Sequence, residues 1–491
     1  MKKQIIYIFL AASILVTSCK KEEDLFPVPP ANISDAFAFT TPDRILNQVK
    51  GLYATLRNGN FYGGRYLIYN DIRGEEFLLQ DPNEVTGAGV WSQSVNNSTN
   101  NVKDFWSQGY FTINRCNVFL DGMETTGNNV VGTALAANYN AEARLVRALS
   151  YYSLLQLFAR PYADGGGDKP GLPLRLKGNT SLGDYNLPRS TVAEVYAQVL
   201  EDLNFAETNL PVTITDALSR TTRAHRNTAI ALKTRVYLSM QKYDEVITEA
   251  NKIVSASQPF TATTGVNHAL QADVTNLFKD FTTTESIFSM PFNANETPGT
   301  QNQLAYYYTP ARTVVTGGVG QGLYSLNPQG IIANTGWTAA DKRRTFVKSS
   351  GSGTTLKYWM FKYTSPSPYT DFVPVIRYAE VLLNLAEAKV RSLNTVDAQA
   401  VALLNAVRSR SDATTTFTVA SFTTANDLAN AILTERRIEF LGEGLRSPDV
   451  LRLLMTIPGK SNIPSVPSTA QNYIWPISAN ELLLNNLMTD N

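Results

Sequence analysis

The feature that most limits what this chain can become is the period of its apolar residues. Between Ala141 and Phe158, Leu145, Leu149, Tyr152 and Leu155 recur three or four positions apart. That interval lines them up on one stripe of an α-helix. Similar periods predict helices over 43–56, 105–120, 191–210, 398–408 and 428–441. The first opens after Thr41-Pro42, a cap residue followed by a proline suited to the first turn. The stretch 375–390 is apolar nearly all round, which predicts a central, buried helix.

From Asn227 the chain reads N-T-A-I-A-L-K-T-R-V-Y-L-S-M-Q-K-Y-D-E-V-I-T-E-A-N-K-I-V. Small Ala229 and Ala231 precede Leu238, Tyr243-Asp244 marks a turn, and Ala250 lies on the return. This is a tetratricopeptide-like helix pair, whose small residues let two helices approach closely. The fold class expected is mainly α, with helix pairs stacked as a scaffold. Long stretches rich in Gly, Pro, Thr, Asn and aromatics separate the helices, at 58–104, 161–188, 256–304 and 309–372. Loops of that length are usually functional. They predict a loop-built face with little β-structure, such as a short strand near Ser286–Pro291.

Composition excludes several chemistries. Lys and Arg number 43 against 42 Asp and Glu, a balance unsuited to binding nucleic acid by charge. The chain has two histidines, His225 and His268, and two cysteines, Cys19 and Cys116. That leaves no material for zinc clusters or a disulfide framework, and little for histidine-dependent catalysis. No cofactor and no metal is expected. Cys116, among apolar neighbours, reads as a buried free thiol.

The N-terminus reads as a targeting segment. Lys2 and Lys3 precede an apolar run from Ile5 to Val16, too short to cross a bilayer. Val16-Thr17-Ser18-Cys19 then resembles a bacterial lipobox, in which Cys19 is lipidated and becomes the mature N-terminus. Several acyl chains, each methylene contributing about 0.8 kcal/mol, make a stable anchor. Residues 1–18 are the signal peptide. Residues 19–36, charged and then proline-rich, are a stiff tether.

Glu435 and Glu439 look catalytic, since they lie one turn apart on a helix face, and a carboxylate pair about 5–5.5 Å apart serves a retaining glycosidase. Arg436, Arg437, Arg446 and Arg452 surround them, and Gly442 and Gly444 sit where a helix should end. An ion-pair network is the better reading. Glu387 and Arg391 have the favourable i,i+4 order and are read as structural. Gly165-Gly166-Gly167-Asp168-Lys169 lacks phosphate-loop spacing, and Asp81-Pro82-Asn83-Glu84 matches no full calcium loop.

The positive signal is aromatics in loops beside neutral polar residues. Asn60-Phe61-Tyr62 leads to Tyr66, Tyr69, Asp71 and Arg73. Trp91 stands near Gln93, Asn96 and Asn97, and Tyr306-Tyr307-Tyr308 precedes a glycine-rich turn. Sugar rings have apolar faces and polar rims. A flat aromatic covers the face while amides, carboxylates or guanidinium groups bond the hydroxyls. The competing role for each aromatic is to anchor its loop to the core. Trp106 and Trp475 fall in scaffold motifs and are set aside.

Several motifs in order resemble the SusD/RagB family of Bacteroidetes outer-membrane lipoproteins. They are W-S-Q-G-Y-F-T-I-N-R-C-N from Trp106, E-A-R-L-V-R-A-L-S-Y-Y-S-L-L-Q-L-F from Glu142 followed by Gly171-Leu172-Pro173, and W-T-A-A-D-K-R from Trp337. R-Y-A-E-V-L-L-N-L-A-E-A from Arg377, L-L-N-A-V-R-S-R from Leu403, E-R-R-I-E-F-L-G-E-G-L-R-S-P-D-V-L-R from Glu435 and Y-I-W-P-I-S-A-N-E-L from Tyr473 continue the series. The resemblance implies a SusD-like fold, with an N-terminal region over 37–230, a helix pair and variable binding loops over 231–330, and a C-terminal region over 331–491. It implies a non-enzymatic, cell-surface binder of oligosaccharides that partners a SusC-like TonB-dependent transporter, anchored to the outer membrane and facing outward. The acidic cluster after Cys19 resembles the surface-export signal of such lipoproteins. By position, Asp71, Trp91 and Asn96 resemble one part of the family's aromatic arc and Tyr306 or Tyr307 another, with Arg73 beside them. A peptide-binding role within the family, and a tethered glycosidase, stay open at this point.

Overall fold

Helix α1 (Pro42–Leu56) begins where the sequence places it, with the Thr41 hydroxyl accepting from the Arg44 N–H. The computed structural model describes residues 37–491, so Cys19, the signal peptide and the tether lie outside the described residues. Short helix α2 (Arg65–Ile72) follows, then the long helices α3 (Asn100–Gly122) and α4 (Thr133–Phe158). Next come α5 (Val192–Asn209), α6 (Arg226–Ser239) and α7 (Tyr243–Ala250). The C-terminal third supplies α8 (Tyr378–Leu393), α9 (Ala398–Ser409), α10 (Ala425–Glu439) and α11 (Arg446–Arg452).

Successive helices pack on one another from α3 to α9, and α10 lies against α8. Helices α6 and α8 are buried nearly all round, whereas α5 and α7 bury one stripe each. The expected pair over 227–254 is α6 and α7, with Ala229, Ala231, Leu238, Val246 and Ala250 buried. Leu238 and Val246 meet Ala388 of α8, so the pair is already bonded to the next unit. Capping chemistry sets several starts. Thr191 and Glu194 close a capping box on α5, and Thr424 and Asp427 close one on α10.

The β-structure is small and lies in the loop regions. Strands β1 (Phe77–Leu79), β3 (Tyr324–Leu326), β5 (Lys357–Met360) and β4 (Val347–Ser350) form one antiparallel sheet in that order. The expected strand near Ser286 is β2 (Ser286–Met290), fully buried and antiparallel to β6 (Val373–Arg377).

Two readings of the sequence are corrected. The central helix does not start at Val375. Residues 373–377 are strand β6, and the helix begins at Tyr378. Pro374 lacks a donor and biases Val373 toward extended backbone, while Val375 and Ile376 are β-branched and find β2 to pair with. Nor is 58–104 irregular throughout, since it holds α2. The Gly63-Gly64 signal hid that helix. Gly64 is needed for approach, because a Cβ there would lie 1.9 Å from the Asn302 carbonyl oxygen. No helix among the described residues is long and apolar enough to cross a membrane.

Candidate functional site

Of the six residues the sequence singles out, four are interior. Asp71 is buried on α2, accepting from the Tyr308 hydroxyl at 3.0 Å and the Gly444 N–H at 3.1 Å. Burial pushes its carboxyl well above the usual range, against the pull of those two donors. Gly444 itself approaches so closely that a Cβ would sit 2.6 Å from the Leu67 Cα. Arg73 is fully buried and donates to the Tyr473 carbonyl at 2.8 Å; desolvation lowers its pKa to about 10. Trp91 is buried, and its indole N–H donates to the Phe77 carbonyl at 2.8 Å. The Lys460 ammonium stands 5.3 Å from that ring. Tyr307 stacks on Tyr324 at 6.0 Å and donates its hydroxyl to the Gln301 carbonyl at 2.9 Å. These four therefore hold loops to the core and offer no face to a ligand. The reason is the hidden helix: Tyr62, Tyr66, Tyr69 and Phe105 form an aromatic cluster with Trp475 that draws α2 inward.

The other two, Asn96 and Tyr306, reach the surface, but on different patches. Tyr306 is half-buried and meets Tyr369 edge-on at 5.7 Å, with the Gln301 amide 3.4 Å from its hydroxyl. Tyr369 was not singled out from sequence; the Pro-Ser-Pro cluster before it read simply as loop.

Asn96 lines a hollow of about 370 Å³. Its side-chain oxygen accepts from the Ser98 N–H at 2.9 Å, and its amide NH2 has no partner among the described residues. Gln93, Asn97, Gln471, Asn472 and Asn491 add amides, and Asp490 adds one carboxylate. Val90, Val95, Ile474, Trp475 and Pro476 supply apolar wall and floor. Trp475 is buried as scaffold, as expected, yet it borders the hollow. The rim is held across three segments. Asn97 donates to the Ile477 carbonyl at 2.9 Å and to Asp490 at 2.8 Å, and the Ile477 N–H donates to Asp490 at 2.8 Å. Residues 471–491 carry no sequence signal that places them beside 90–97, although both stretches contain Asn and Gln.

Next to the hollow is an apolar ridge. The Ala479 N–H donates to the Asn97 carbonyl at 3.0 Å, so the short helix Ala479–Leu484 starts at the rim. It leads to Leu483 and Leu484, which are 77% and 78% exposed, and to exposed Leu487. Asn485 exchanges hydrogen bonds with the backbone of Leu187 at 3.0 and 2.8 Å, bringing in a loop whose Leu182 is 103% exposed.

The catalysis-like pair is sealed. Glu435 accepts from Arg343 at 2.6 Å and Arg408 at 2.8 Å. Glu439 accepts from Arg410 at 2.5 Å, Arg343 at 2.8 Å and Arg377 at 3.0 Å. Arg377 continues to Glu285 at 2.5 Å and Glu443 at 2.8 Å, and Arg410 also pairs with Glu285. Burial alone would raise the Glu439 carboxyl; Arg410, Arg377 and Arg343 override it and hold the group far below the ordinary carboxylate range. Neither carboxylate reaches solvent in this structure. Glu387 and Arg391 pair at 2.7 Å. Cys116 is buried and unpaired, and burial raises its thiol. Among the described residues no cluster of His, Cys, Asp or Glu is arranged to hold a metal ion.

The fold and the hollow together give a helical-repeat scaffold with a loop-built, amide-rich face. Comparison with known proteins makes the class specific. Residues 33–238 match a family described as SusD-like, "starch-binding associating with outer membrane", and residues 334–491 match the SusD family. A solved SusD superfamily protein from Bacteroides fragilis is 31% identical with a TM-score of 0.80, covering 92% of this chain and 99% of that one. The chain belongs to the SusD/RagB family. SusD-like protein P25 of Formosa agariphila is 26% identical over 266 residues, 52% of this chain and 46% of that relative's length. A solved laminarin-binding SusD-like protein shares the fold at 19% identity, with a TM-score of 0.70 and coverage of 92% and 99%.

Proposed function

We propose that this protein captures oligosaccharides at the cell surface and passes them to a SusC-like TonB-dependent transporter, performing no chemistry on them. The observation that carries the reading is the Asn96 hollow. Uncharged amides from three chain segments ring an apolar floor. Its volume falls within the span of about 300–1,000 Å³ usual for small-ligand sites. Amides both donate and accept, which suits hydroxyl groups, and the floor suits the C–H face of a sugar ring. The family's description as starch-binding and the laminarin-binding relative support a glycan. The sealing of Glu435 and Glu439 supports binding without hydrolysis.

Lipidation of Cys19 would hold the protein to the outer membrane, facing outward. The transporter is the occupant we assign to the leucine ridge, because the ridge adjoins the rim over which cargo would leave, and an exposed patch of large apolar residues is a mark of a protein partner. Isothermal titration of oligosaccharides into wild type and into Asn96→Ala/Asn472→Ala tests the binding site. The double variant should bind at least tenfold more weakly with an unchanged melting temperature. Equal affinity in the two proteins refutes the hollow as the site. Co-purification of the transporter with Leu483→Asp/Leu484→Asp tests the ridge, and full retention refutes it.

A further inference from the structure

The charge pattern around the hollow is one-sided. Seven polar side chains line it, and the only charged one among them is that of Asp490. Its carboxylate is fixed in place by three donors, the Asn97 amide and the Ile477 and Asn491 N–H groups, at 2.8, 2.8 and 2.9 Å. No Lys or Arg lines the hollow.

The cations of the neighbouring segments are bonded to other groups. Arg73 is fully buried against the Tyr473 carbonyl. The Lys460 ammonium lies beneath the Trp91 ring and is held by the Ile72 and Gly74 carbonyls. Arg189 donates to the carbonyls of Gly171 at 2.7 Å, Pro170 at 2.9 Å and Thr489 at 3.3 Å. Arg160 pairs with Asp164 at 2.6 Å and with the Ser468 carbonyl. Among the side chains lining the hollow, a ligand therefore meets amides and one carboxylate, and no Lys or Arg.

We infer that the hollow selects uncharged glycans and rejects those carrying uronate or sulfate groups, with Asp490 as the rejecting residue. The inference rests on the glycan reading above. A carboxylate or sulfate entering this space would lose water without gaining a cationic partner, and would face Asp490 at close range. A neutral hydroxyl loses only what an amide or the Asp490 carboxylate returns as a hydrogen bond.

The test is a titration of two probe sets of equal length at low ionic strength. One set is neutral (laminari-, malto-, cello- and xylohexaose); the other is acidic (hexameric alginate and polygalacturonate). At least one neutral probe should bind, and every acidic probe should bind at least tenfold more weakly. Raising the salt concentration should narrow that ratio, because screening weakens repulsion. Asp490→Asn should narrow it at least fivefold, with thermal melting showing that the variant is folded. Binding of an acidic probe as tight as any neutral one overturns the charge selection while leaving glycan capture standing. An unchanged ratio in folded Asp490→Asn removes Asp490 as its cause. Failure of both sets to bind sinks the glycan reading, and the inference with it.

Discussion

Two regions of this molecule handle polarity in opposite ways. Around Glu439, charges are gathered in the interior, where Arg343, Arg377 and Arg410 converge on one carboxylate and link it to Glu285, Glu435 and Glu443. Around Asn96, polarity is at the surface and is almost wholly uncharged. The first region joins β2, β6, α9, α10 and the 341–346 turn, elements far apart in sequence. It needs strong, directional bonds that are satisfied on all sides, and guanidinium–carboxylate forks provide them. As the proposed binding site, the second region would exchange water for a ligand and back again. Fixed charges would hold water or counter-ions too firmly for that, whereas amides release them at small cost. In this protein the dense charge motif is scaffold, and the quiet amide cluster is the surface proposed for binding.

The largest expected effect breaks the scaffold side. Glu439→Gln leaves three arginines around a neutral group, and removing one partner of a buried pair costs about 3–5 kcal/mol. Urea unfolding should show that loss. A change below about 1 kcal/mol would mean the network is not structural. Trp91→Ala separates the regions directly. If Trp91 is an anchor, the variant should lose about 3–5 kcal/mol of stability. Weakened glycan binding with unchanged stability would instead restore Trp91 to the binding face.

Acidification is the next test. His225 and His268 stack at 5.3 Å in the interior, where burial lowers both pKa values, that of His268 to about 4. The unfolded chain then takes up protons that the folded chain refuses. Stability is full above about pH 6.5 and falls toward pH 4, by about 1.4 kcal/mol per pH unit for each histidine. Replacing His268 with Gln should flatten the pH dependence of melting over that window. An unaltered slope would assign the acid sensitivity elsewhere.

Smaller effects belong to the surface. Asn472→Ala alone should weaken glycan binding by about two- to tenfold, the worth of one hydrogen bond at about 0.5–1.5 kcal/mol, without altering stability. Tyr306→Ala, on the separate Tyr306–Tyr369 patch, should alter affinity less than Asn472→Ala does. A larger loss at Tyr306 would move the site from the amide hollow to the tyrosine pair.

Much of the scaffold was legible in the chain because its determinants are local. Apolar spacing marked α1, α3, α4, α5, α9 and α10 to within a few residues at most of their ends, although α3 and α4 begin earlier than expected. The alanines of 227–254 announced the α6–α7 pair. Most of the family motifs sit on helices, where chemistry repeats every turn, while those from Trp337 and Tyr473 lie largely in turns and extended segments. The candidate site was much less legible. Loop aromatics were equally consistent with gripping a sugar and with gripping the core, and Trp91 and Tyr307 do the latter.

The sequence by itself determined that the chain builds stacked helices, that it lacks the residues for zinc clusters or disulfide frameworks, and that Glu435 and Glu439 had cations enough nearby to be neutralised. Only the tertiary structure decided which polar groups face water. Burial of α2 turns Asp71 inward, and the return of residues 471–491 to the segment 90–97 assembles the hollow. Both depend on contacts between segments hundreds of residues apart, and no local period encodes a contact of that separation.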